Sequence, residues 1–109
     1  MMKIKTSDLT GTALDWAVGY IMGEKLRILD RQIVWPEDYS PSTDWAVGGP
    51  IIERENIGLW SEGYDWEAKI QIGSGQWLDE WDEYPLIAAM RCYVASKLGD
   101  EVEIPEEIV

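Results

Sequence analysis

Histidine and phenylalanine are missing from the 109 residues, cysteine occurs once, and 9 basic residues face 21 acidic ones. Without histidine the commonest general base near neutral pH is gone. Cys92 alone can close no internal disulfide, and with no histidine or second cysteine there is no zinc cluster and nothing to deprotonate the thiol. Small core filling is the expected role of that side chain. A formal charge of −12 repels duplex phosphate and anionic membrane, so no direct nucleic-acid or membrane binding is expected. No apolar run reaches membrane-spanning length, and Met1 to Thr6 lacks the apolar core of a signal peptide. A reducing cytoplasm is the expected compartment, and no cofactor or metal is implied.

What the chain does have is apolar material: 46% of residues are hydrophobic and seven are tryptophan, enough to offset the entropy of ordering one domain over 1–109. Residues 2–6 alternate as a short strand, and Ser7 or Asp8 is placed to cap the helix that follows. In that helix Leu14, Ala17, Val18 and Ile21 share a face, with Gly23 as its stop. Period-two patterning over 25–35 predicts a strand or tight hairpin that Pro36 ends. Three prolines and Gly48-Gly49 argue for a long loop over 36–50, and Ile51-Ile52 reads as the start of a strand. Residues 60–81 read as a meander turning at Gly73-Ser74-Gly75. Pro85 opens a last helix, Ile87, Met90, Val94 and Leu98 line one face, Lys97 suits its final turn, and Gly99 ends it. Alternation over 101–104 adds an edge strand. The sum is an α+β fold, two helices on a small, mainly antiparallel sheet with a long central loop.

The loop SPSTDWAVGGP, residues 40–50, concentrates hydrogen-bonding capacity. Ser42 and Thr43 offer hydroxyls, Asp44 a carboxylate, and Gly48 and Gly49 backbone that a ligand can approach closely. Trp45 supplies a flat face, with Trp35 and Tyr39 near in sequence. A second reading is architectural: Ser42 or Thr43 caps a helical turn, Asp44 supports its positive end, Gly48 stops it, and Trp45 plugs the core. Arg91 lies among Ile87, Ala88, Val94 and Ala95, where a guanidinium needs a counter-charge. A ligand phosphate or carboxylate would serve, as would Asp44, Glu53 or Glu55 bracing the loop against the helix.

Asp79, Glu80, Trp81, Asp82 and Glu83 form the densest acidic run and are the candidate contacts for a basic partner. Adjacent positions do not face one another, which weakens these acids as a hydrolase dyad or Mg²⁺ cradle. Trp60, Trp66, Trp77 and Trp81 read as core, or as a protein-binding or homodimer surface rimmed by acid.

Three segments together resemble a known family: KIKTS, LTG and LDWAV near the start, SPSTDWAVGGPIIERE over 40–55, and PLIAAMRCYVASKLGDEVEIPEE over 85–107. They are similar to the NinX-like small proteins of lambdoid phages. The resemblance implies a phage or prophage product acting in the bacterial cytoplasm and brings no catalytic motif. Between Leu59 and Tyr84 the chain departs from the family pattern.

The leading expectation is a non-catalytic accessory protein holding a small anionic, nucleotide-like ligand through Ser42, Thr43, Asp44, Trp45, Gly48, Gly49 and Arg91. The alternative is an acidic inhibitor of a host protein. A carboxylate-dependent metal hydrolase comes third.

Overall fold

The computed structural model describes residues 1–24, 27–29, 32–34, 39–61 and 63–109, the two three-residue segments as backbone only. Trp35, Pro36 and the turn expected at Asp30-Arg31 lie outside the described residues. An α+β fold is what the chain adopts, with every strand pairing antiparallel.

Strand β1 (Met2–Lys5) pairs with β7 (Glu101–Ile104), and β2 (Arg27–Leu29) with β3 (Gln32–Val34) as the expected hairpin. The meander is β4 (Gly58–Ser61), β5 (Trp66–Gly73) and β6 (Gln76–Asp82), in spatial order β4-β5-β6. Helix α1 spans Gly11–Met22. Its N-cap is Thr10, not Ser7 or Asp8, because Thr6–Asp8 close a 3₁₀ turn of their own. Gly23 ends α1 at φ 76°, the left-handed geometry that glycine adopts without a Cβ penalty.

Helix α3 (Pro85–Leu98) is the hub. The meander packs on one side of it, α1 and α2 on the other. Leu86, Ala88, Ala89, Met90, Cys92, Tyr93 and Val94 are all buried, so its sequence is apolar around most of the circumference rather than along one stripe. From α1 come Leu14, Ala17 and Val18, and from the sheet Ala68 and Ile70, which complete one cluster with Leu9, Val102 and Ile104.

The expected long loop is half helix. Residues Trp45–Glu55 form α2, which contains Gly48, Gly49, Pro50 and the supposed strand start Ile51-Ile52. Both ends are well signalled. Asp44 is the N-cap, its side chain accepting from the Ala46 N–H at 3.0 Å, and Asn56 closes the helix in the left-handed region at φ 55°. Pro50 leaves the Ala46 carbonyl without its helical donor. Both residues are solvent-exposed, so water can take that bond and the helix continues. A prolyl ring in the buried half would have stopped it.

Gly48 is where tertiary packing overrides propensity. A Cβ there would lie 2.4 Å from the Pro41 carbonyl oxygen and 2.6 Å from Leu86 Cδ1. Only glycine lets α2 approach the preceding turn and α3 this closely.

Candidate functional site

Where α2 and α3 begin, their first turns enclose a groove of about 340 Å³ lined by Ser42, Thr43, Trp45, Tyr84, Pro85, Leu86 and Ile87. That volume is at the small end of the range for ligand sites. Leu86 is buried, while Trp45 is 52% and Tyr84 59% exposed. Two large aromatic side chains thus stand half in water beside a hollow. Trp45 therefore does not plug the core.

The groove is held in shape by Asp15. This carboxylate is buried on α1 and accepts the Ser42 backbone N–H at 2.8 Å, tying the 41–43 turn to the helix behind it. Ser40 completes the turn, its carbonyl accepting from the Thr43 and Asp44 N–H groups at 3.1 and 2.8 Å. The Ser42 hydroxyl is also buried, at 2% exposure for the residue, and lies close enough to Asp15 to favour the ionised carboxylate.

Burial raises the Asp15 pKa above its ordinary value, with the Ser42 hydroxyl and amide opposing the rise. A raised folded-state value means that the folded protein holds this proton more readily than the unfolded chain. The contribution to stability therefore falls as pH rises through the folded pKa. In Asp15→Asn the amide oxygen can still accept from Ser42 while the buried charge is gone. Urea unfolding from pH 7 down to pH 4 should show the variant's stability relative to wild type highest at neutral pH and declining with acidification. A difference independent of pH would contradict a raised Asp15.

Arg91 is not at the groove. Its Nε donates to the Leu9 carbonyl at 2.6 Å, and its Nη1 to the Trp81 carbonyl at 3.1 Å and the Asp82 carboxylate at 2.9 Å. The guanidinium is 11% exposed and locks α3 to the end of β6 and to the turn before α1. It braces as expected but with a different carboxylate: Asp44 caps α2, and Glu55 pairs with Arg54 and Lys97. Glycines 48 and 49 also leave the anion-binding role, since both lie inside α2 and the Gly48 amide donates to the Asp44 carbonyl at 2.9 Å. Of the seven ligand-binding candidates, Ser42, Thr43 and Trp45 come together at the groove, and Asp44 stands beside them as a cap.

The acidic run 79–83 is divided by strand alternation. Asp79 and Trp81 fall on the face of the meander turned away from α3. Glu80 and Asp82 fall on the face turned toward it, in register with the buried Ala68 and with Trp66. Burial raises the Glu80 pKa although Arg91 opposes this. Glu83 is exposed at the approach to α3. The Cys92 thiol donates to the Ala68 and Leu78 carbonyls at 3.6 and 3.5 Å, and burial with the Glu80 and Asp79 charges pushes it up to about 12. It fills core space and is not an activated nucleophile. Among the described residues no group of three or more carboxylates and cysteines is placed to hold a metal ion.

Sequence reasoning missed Asp15, Tyr84, Pro85, Leu86 and Ile87. One signal for Asp15 was available: a carboxylate flanked by Leu14, Trp16, Ala17 and Val18 on an apolar helix has to find a donor.

A model of the family described as Bacteriophage P22, NinX matches residues 5–97. The chain belongs to the NinX family. That NinX match takes in the groove, α2 and most of α3, and also the meander between Leu59 and Tyr84, where the sequence looked divergent. No individual curated protein matches this NinX-family chain. Among the described residues none of its helices is long and apolar enough to cross a membrane.

Proposed function

We propose that this phage protein acts by non-catalytic binding in the bacterial cytoplasm, and that the α2/α3 groove takes a small, uncharged, planar ring with a hydrogen-bonding edge. The observation that carries the reading is the hollow between the half-exposed Trp45 and Tyr84 side chains. The aromatic side chains offer stacking faces and Leu86 an apolar floor. Thr43, exposed at the rim of the groove, supplies a hydroxyl for the ring's polar edge.

Charge selects against the anionic ligand first expected. Asp44 caps α2 at the rim, Asp82 accepts from the Tyr84 N–H at 2.9 Å, and Asp15 sits behind Ser42, while Arg91 is engaged elsewhere. Among the described residues phosphate would meet carboxylates with no cation to receive it.

The test is calorimetry and thermal shift with the four ribonucleosides, their 5′-monophosphates and indole as probes. Ring compounds without phosphate should bind, and each matching monophosphate should bind more weakly. A ligand at 100 times its Kd adds about 2.7 kcal/mol of stability. Trp45→Ala should weaken binding about tenfold, the worth of one stacking contact. Unchanged binding in Trp45→Ala, tighter binding of monophosphates, or no response to any ring would overturn the reading.

A further inference from the structure

The meander has two faces, and the described residues cover one. Ala68 and Ile70 on β5 are buried, with Leu59 and Leu78 packed against the same core. Register then places Trp60, Glu67 and Trp81 in one row across the opposite face, Lys69 and Asp79 in the next, and Gln71 with Trp77 beyond. On this outer face Trp60, Trp77 and Trp81 are 38%, 56% and 43% exposed. Three indoles on one sheet face are a surface a lone chain has no reason to keep wet.

One cation already rests on this face. The Lys69 ammonium stands over the Trp60 ring, 5.2 Å from its centroid, a cation–π contact. Glu67 is buried between the Trp60 and Trp81 positions. On β6, Trp77 and Trp81 flank Asp79 at alternate outward positions, so the two indoles stand about 14 Å apart along the strand. No second lysine or arginine shares the three rows, and the chain's overall charge is −12.

We propose that this outer face docks an extended, arginine-bearing segment of another protein, with guanidinium groups four residues apart stacking on Trp77 and Trp81 and the segment passing over Asp79. Guanidinium suits the site because it is planar and weakly hydrated, and stacks on indole while donating to a carboxylate. A second copy of this chain is a poor occupant, because like charges of −12 meet. The site is separate from the groove and does not depend on it.

The experiment titrates the full chain with a threonine-rich octapeptide carrying arginines four residues apart, read by calorimetry and tryptophan emission. Parallel arms use citrulline and lysine at the two positions. The arginine peptide should bind, with affinity falling as salt is added, and the citrulline peptide should not. Trp77→Leu with Trp81→Leu should weaken binding about tenfold, and Asp79→Asn by a smaller factor, with the far-UV circular dichroism of each variant matching the wild type. Equal binding of citrulline, or of lysine, would overturn guanidinium recognition. Unchanged affinity in the double tryptophan variant would reduce the interaction to general attraction by an acidic chain and overturn the site. Sedimentation of the free chain as a dimer that the same variant dissociates would assign the face to a second copy instead.

Discussion

Arg91→Met is expected to lower the unfolding free energy by about 3 kcal/mol, the toll for stranding one member of a largely desolvated ion pair. The guanidinium is 11% exposed and its Asp82 partner 21%, and two backbone carbonyls on different elements, Leu9 and Trp81, lose their donor together. Methionine keeps most of the stem's packing, so the loss reports the charge and its hydrogen bonds. Arg91→Lys should recover only part of it, because one ammonium cannot reach three acceptors spread around a planar fork. Urea midpoints at constant slope would measure both. A loss in Arg91→Met below about 1 kcal/mol would place the pair with ordinary surface ion pairs and remove the brace assigned to it.

Two adjacent glycines should respond to the same substitution with opposite signs. Gly48→Ala puts a methyl 2.4 Å from the Pro41 carbonyl oxygen and 2.6 Å from Leu86 Cδ1, forcing α2 away from α3 and from the turn that carries Ser42. Overpacking of this kind costs about 1–3 kcal/mol, which exceeds the ~1 kcal/mol that alanine gains over glycine in a helix. At Gly49 the new methyl meets only Trp45 Cε3, at 4.0 Å. Gly49→Ala should therefore stabilise the protein by roughly 0.5–1 kcal/mol. If both variants are stabilised, the close approach of α2 to α3 is not present in solution.

The same pair of glycines shows where sequence reasoning ran out. Elements whose local signals agreed were legible: Pro85 and Gly99 bracket α3, Gly23 stops α1, and Gly73-Ser74-Gly75 turns the meander. In α2 the signals conflicted. Gly48, Gly49 and Pro50 each disfavour a helix, while Asp44 and Asn56 cap one. The conflict is resolved by close packing against the turn at Pro41 and against Leu86, and Leu86 lies outside any local window around residue 48. For the site, the segment that begins the groove was legible from its hydroxyls and indole, and its opposite wall was not, because 84–87 becomes a wall only once α3 lies beside α2. Arg91's need for a counter-charge could be foreseen from its apolar neighbours. Which carboxylate met that need was decided by where β6 ends. For residues 77–81 the period of two was readable, but which face of the meander stayed wet depended on the side α3 occupies.

Strand β1 runs from Met2 and its partner β7 ends at Ile104, and the Thr6 hydroxyl reaches the Gly99 carbonyl at 2.7 Å across 93 residues of sequence. On a ribosome this pairing can form only after the residues through Ile104 have emerged. Until then Ile4 waits without its opposite number, Val102, and the nascent chain carries an open strand edge of the kind that invites mispairing. The loop entropy of joining such distant segments is met late and all at once. Closing that two-stranded clasp therefore joins two segments only after every element between them has been made.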